Sequence, residues 1–142
     1  MKTSKNMKPL RIFQHDACGG IGYLGTCLEQ GNIPYEMVYI NRGESVPKDL
    51  EDISGLIFLG SNHSVNAGHA WIDDEIALIQ RAARADVPVR GICIGGQLIS
   101  KTLGGAISPA PTMQIGWYRI EVTPEAAALT GAMLPSSFEV FE

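Results

Sequence analysis

The sequence predicts a doubly wound α/β layer, a mostly parallel sheet with helices on both faces, followed by a small antiparallel appendage. Three observations carry this. Several apolar runs are short and continuous, as in Leu56-Ile57-Phe58-Leu59, which suits strands buried on both faces. Between them lie stretches whose apolar residues recur three to four apart, the period of helices packed against a sheet. After Gly105 the pattern changes to strict alternation, the mark of an antiparallel strand with one wet face.

In chain order, Leu10-Arg11-Ile12-Phe13 reads as the first strand. A helix from Ile21 to Leu28 follows and is stopped by Gly31. Tyr35 to Ile40 is the second strand, and Gly55 to Leu59 is a short buried one. Trp71 to Ala85 places Ile72, Ile76, Ile79 and Ala83 on one helical stripe. Val87 to Ile92 is the next strand, and Gln97 to Leu103 the next helix, closed by Gly104-Gly105. Beyond a loop holding Pro109 and Pro111, Trp117 to Val122 alternates, and Phe138 to Glu142 begins a similar strand.

Composition narrows the function. The chain has 142 residues, 45% hydrophobic and 18% charged, which is ordinary for a globular protein and fits one domain over 1–142. Eleven basic against fifteen acidic side chains give a net charge of −4, scattered along the chain, so neither nucleic acid nor an anionic membrane is an expected partner. No apolar run reaches the roughly 20 residues that span a bilayer, and Met1 to Lys8 lacks the apolar core of a signal peptide. Three cysteines without CxxC spacing suit a reducing, cytoplasmic setting.

Gly91-Ile92-Cys93-Ile94-Gly95-Gly96-Gln97 carries the chemistry. It has the form G-x-C-x-G at a strand-to-helix turn, where small residues two places either side of the central one let strand and helix pack closely around a strained nucleophile. The thiol of Cys93 would then stand at a helix N-terminus, which favours thiolate, with the Ile94 N–H facing a developing oxyanion. A second donor is expected from the loop Gly60-Ser61-Asn62, chiefly Ser61, although spacing alone reads equally well as a plain turn. His15, His63 and His69 read as solvated loop histidines, since no metal-ligand spacing accompanies them. Gly20-Ile21-Gly22-Tyr23-Leu24-Gly25 matches GxGxxG, but a polar stretch separates it from the first strand and no carboxylate ends the second, so a dinucleotide site is not expected.

The elbow, with Gln97-Leu98-Ile99, Leu103-Gly104-Gly105 and Ile115-Gly116-Trp117, resembles class I glutamine amidotransferase domains, in particular those similar to the glutaminase part of GMP synthase. Leu59-Gly60 and Ser64-Val65-Asn66 add to the resemblance. It implies a flavodoxin-like fold, Cys93 as the nucleophile forming a glutamyl thioester, Gly60, Ser61 and Ile94 around the oxyanion, and Gln97 holding the substrate. It implies no cofactor and no metal. The substrate would be L-glutamine or a γ-glutamyl compound, the ammonia would go to a synthase partner or other acceptor, and the partner expected is such a synthase or a further copy of the chain in a homo-oligomer. Ser61 stands where the family usually has a second glycine. The family's general-base histidine and its acid, expected on a downstream segment, have no counterpart before Glu142, so the domain reads as incomplete at its C-terminus. Two other readings stay open: a γ-glutamyl peptide or conjugate hydrolase, and a non-catalytic binding fragment.

Overall fold

A computed structural model describes residues 7–130 and 134–142. The chain forms two compact units, one ending at Ile107 and one from Ser108 to Glu142. In the first, strands β1 (Leu10–Gln14), β2 (Tyr35–Tyr39), β3 (Gly55–Phe58) and β4 (Val89–Gly91) form a wholly parallel sheet in the order β2-β1-β3-β4. Helix α1 (Gly22–Gln30) links β1 to β2, α2 (Ala70–Arg84) links β3 to β4, and α3 (Ile94–Thr102) follows β4. Parallel neighbours require such crossovers, and the strand order reverses at β1, between β2 and β3. Loops at the carboxyl ends of β1 and β3 therefore flank a crevice where α/β folds bind ligands.

Adjacent residues on each central strand point to opposite faces. Phe13, Leu56 and Phe58 meet Ile72, Leu78, Ile79, Ala82, Ile94 and Leu98 of α2 and α3. Ile12, Ile57 and Leu59 cluster with Leu28 of α1. Phe13 and Phe58 stack with ring centroids 4.6 Å apart, and burial of each phenyl is worth about 2 to 3 kcal/mol. Together these packed faces clamp β1 and β3, the two strands that carry the crevice loops.

The expected architecture is present, with local differences. Helix α3 begins at Ile94, three residues before the expected Gln97, because the chain turns helical directly after Cys93. Ile40 leaves β2 for a 3₁₀ turn, Ile40–Arg42, which Gly43 closes at φ +84°. On α2 the inward stripe is Ile72, Glu75, Leu78, Ile79 and Ala82, whereas Ala83 is exposed. In the second unit, β5 (Trp117–Glu121) and β6 (Ser137–Phe141) form the antiparallel pair, with Trp117 opposite Phe141. Between them α4 (Pro124–Thr130) is a helix that the sequence reading did not contain. Among the described residues no helix is long and apolar enough to cross a membrane.

Candidate functional site

Strand β4 ends at Gly91, and the turn to α3 is made by Ile92 and Cys93. Cys93 has φ +54° and ψ −115°, a combination that side-chain-bearing residues rarely adopt. The glycines around it make the turn possible. A Cβ on Gly91 would stand 2.3 Å from the Gly95 carbonyl carbon, and one on Gly95 would stand 2.2 Å from the Phe58 carbonyl oxygen. Neither side chain can be added without moving backbone, so the glycine spacing permits β3, β4 and α3 to meet at this point. Cys93 is exposed at the N-terminus of α3, while Ile94 is buried beneath it and Gln97 lies one turn on, half-buried.

The loop after β3 approaches the same thiol. Cys93 Sγ lies 4.0 Å from the Ser61 carbonyl oxygen, and a Cβ on Gly60 would stand 3.4 Å from Cys93 Cβ. Asp16, Cys18, Gly19, Ser61, Asn62 and Cys93 line an open cavity of about 210 Å³. The structure thus brings Cys93, Gly60, Ser61 and Ile94 together, with Gln97 on the same helix. A thiol at a helix N-terminus, beside loop peptide groups, is a chemical arrangement suited to attack on a carbonyl carbon.

Three residues in this neighbourhood escaped the sequence reading. Asp16 Oδ1 accepts hydrogen bonds from the Cys18 and Gly19 N–H groups, and Oδ2 accepts one from the Asn62 N–H at 3.0 Å. The Asn62 bond is the leading reason that the Asp16 carboxyl is held below its ordinary 3.8, followed by the Gly19 bond. An Asp three residues before a Gly in a loop was the available signal. His15, read as a solvated loop histidine, is instead 2% exposed. Its Nδ1 is 3.2 Å from the Leu59 carbonyl oxygen and its Nε2 is 2.9 and 3.0 Å from the two carboxyl oxygens of Glu75. Glu75 is fully buried, and burial pushes its carboxyl above 4.5 against the opposing pull of the His15 hydrogen bond and charge. A charged residue inside the apolar stripe of α2 was the sign that an inward partner existed. His15 does directly follow the first strand, as expected, but it is buried rather than solvated because Glu75 and Trp71, the latter at 4.8 Å between rings, close over it.

His63 and His69 are exposed, as expected. His63 Nδ1 lies 2.6 Å from Ser61 Oγ, and its ring packs edge-on against His69 at 4.9 Å. His69 in turn stacks on Trp71. Among the described residues no group of three or more His, Cys, Asp or Glu side chains is arranged to hold a metal ion.

The sequence signature of the family Glutamine amidotransferase class-I matches residues 21–136. The chain belongs to that family. It is 34% identical to a GMP synthase [glutamine-hydrolyzing] of Petrotoga mobilis over 65% of this chain and 17% of that protein. It is 33% identical to the putative glutamine amidotransferase-like protein YfeJ of Salmonella typhimurium over 71% of this chain and 44% of that one. The chain thus spans less than half the length of these relatives. A crystal structure of a glutamine amido transferase from Methylobacillus flagellatus superposes with a TM-score of 0.86 at 34% identity, covering 96% of this chain and 55% of the other. A glutamine amidotransferase from Thermotoga maritima, at 21% identity and a TM-score of 0.85, shares the fold. Flavodoxin-like α/β is therefore the fold of the family to which the chain belongs, and membership supports a glutamine amidotransferase role.

Proposed function

We propose that Cys93 is the nucleophile of a glutaminase reaction that supplies ammonia to an acceptor. The thiolate attacks the side-chain amide carbon of L-glutamine, forming a C–S bond and pushing the carbonyl electrons onto oxygen. The Ile94 N–H and the peptide N–H groups of Gly60 and Ser61 stabilise that oxyanion, and Gln97 helps hold the substrate. Collapse breaks the C–N bond, the nitrogen takes a proton and leaves as ammonia, and water hydrolyses the thioester to glutamate and free thiol. Ammonia passes to an acceptor on a synthase partner or within a homo-oligomer. Three free, exposed cysteines support a reducing, cytoplasmic setting for this chemistry.

The observation that carries the reading is the backbone of Cys93, strained at φ +54° on the first step into α3, with Sγ facing the Gly60-Ser61 loop. Strain at a single exposed thiol is what a nucleophile elbow requires and what a core cysteine does not. The test is labelling by a glutamine-shaped diazoketone, followed by mass spectrometry on each cysteine. Saturable modification of Cys93, protected by L-glutamine and absent at Cys18 and Cys27, is expected. Equal, unsaturable labelling of all three thiols defeats the assignment.

A further inference from the structure

We propose that His15 and Asp16 form a two-point clamp, braced by Glu75, that aims the peptide N–H groups of the Gly60-Ser61 loop at the oxyanion formed on Cys93. The inference rests on the reading of Cys93 given above and adds positioning residues to it.

The clamp grips the loop at both ends. At its start, Leu59 donates its own N–H to the Phe13 carbonyl of β1 at 3.1 Å. Its carbonyl faces His15 Nδ1. A peptide group is planar, so fixing the Leu59 carbonyl also fixes the direction of the Gly60 N–H on the same plane. At its end, the Asn62 N–H is held by Asp16 Oδ2. Only Gly60 and Ser61 lie between the two grips, and both grips come from consecutive residues at the end of β1. A strand buried on both faces thus sets the geometry of a loop that would otherwise be free to rotate.

Glu75 fixes the chemistry of the first grip. A carbonyl can only accept, so His15 Nδ1 must carry a proton to hold Leu59. The Glu75 carboxyl occupies Nε2, with its two oxygens at 2.9 and 3.0 Å, and so holds the ring in the orientation that turns Nδ1 towards Leu59. The other neutral tautomer would set a bare Nδ1 lone pair against the Leu59 oxygen. Both side chains of the pair are completely shielded from solvent, a setting in which a pair of ionisable groups is weak evidence for stability. Its placement on the residue before the loop gives it a positional purpose.

Two isosteric variants separate positioning from simple core filling. In His15→Asn the side-chain amide nitrogen takes the place of Nδ1 and still donates to Leu59, but contact with Glu75 is lost. In His15→Gln the amide takes the place of Nε2 and keeps Glu75, but the donor to Leu59 is lost. The readouts are the saturable rate constant for Cys93 labelling by the glutamine-shaped diazoketone and the alkylation rate with iodoacetamide, which reports the thiol alone. His15→Gln is expected to slow diazoketone labelling by about 10- to 100-fold, as for a misplaced oxyanion donor, with iodoacetamide alkylation within about threefold. His15→Asn is expected to retain labelling within about fivefold. A structural role predicts the reverse order, because Gln preserves volume and the Glu75 partner; that order, equal losses, or no loss in either variant overturns the proposal. Amide hydrogen exchange at Gly60 and Ser61 gives a second readout independent of the reading of Cys93: faster exchange in His15→Gln but not in His15→Asn is expected, and equal exchange overturns the clamp. If the unsubstituted chain resists the diazoketone while iodoacetamide modifies Cys93, the nucleophile reading has failed, and the exchange comparison still judges the clamp.

Discussion

At Cys93 the backbone and the side chain have opposed demands. A φ of +54° with ψ −115° is a region open to glycine and costly to residues bearing a Cβ, of order 1 to 3 kcal/mol. Stability and thiol chemistry therefore compete at one residue. Cys93→Gly and Cys93→Ala both remove the thiol, but only glycine relieves the strain. Calorimetric melting should place Cys93→Gly about 1 to 2 kcal/mol above Cys93→Ala, after glycine's extra unfolded-state entropy is counted; equal midpoints would mean that the turn is not strained. A second residue-scale outcome concerns Glu75. Its folded carboxyl lies above the ordinary 4.5, so the folded state binds the extra proton, and this contribution is complete below 4.5 and lost as pH rises through the folded value. Glu75→Gln keeps a hydrogen-bonding group but does not titrate. Its melting midpoint relative to the parent should therefore climb as pH rises above 4.5, and a flat difference would show that burial does not govern this carboxyl.

Among the elements, what the sequence made legible was whatever depended on local periodicity. The β1, β3 and α2 runs declare themselves because adjacent or fourfold-spaced apolar residues face two packed layers, and Gly31 stops α1 at the expected place. The elbow was legible because close approach demands glycine at two fixed offsets, a requirement written in the chain itself. Other features depend on distant partners and leave at most a one-sided local trace. His15 is followed by the polar Asp16 and looks like loop until Glu75, sixty residues on, is brought beside it. Helix α4 was missed although its start is written locally, with Thr123 Oγ1 accepting from the Ala126 N–H at 3.2 Å and Pro124 at the first helical position; seven residues are too few to show a period. The glycine contacts also predict how tightly the elements are fitted. Gly95→Ala drives a methyl onto the Phe58 carbonyl, so β3 and α3 must separate. A loss of about 2 kcal/mol or more in denaturant unfolding is expected, together with slower diazoketone labelling of Cys93, whereas the neighbouring Gly96→Ala, whose Cβ would have only the Gly91 carbonyl oxygen at 3.9 Å, should leave both nearly unchanged.

At the level of the whole chain, the histidines are committed elsewhere. Thioester chemistry needs a base that populates the thiolate and then delivers a proton to the departing ammonia. His15 is engaged by Leu59 and Glu75, His63 turns onto Ser61 Oγ, and His69 stacks on Trp71. Among the described residues the partner of Cys93 Sγ is the Ser61 carbonyl oxygen, which cannot act as a proton shuttle. On the proposed reading of Cys93, the described residues bring the nucleophile and its oxyanion donors together without placing a histidine at the sulfur. Binding and covalent capture depend on the first two, whereas turnover depends on all three. The 142-residue chain is accordingly expected to take the diazoketone at Cys93 yet to release ammonia from glutamine about 10²- to 10⁴-fold more slowly than a glutaminase with an oriented histidine. Free imidazole supplied in the buffer should restore part of the rate in proportion to its concentration, and Cys93→Ala should abolish the restored part. Ammonia release measured with and without imidazole decides the matter. Fast, Cys93-dependent release without imidazole that disappears in His63→Ala would instead give His63, acting across Ser61, the role of base.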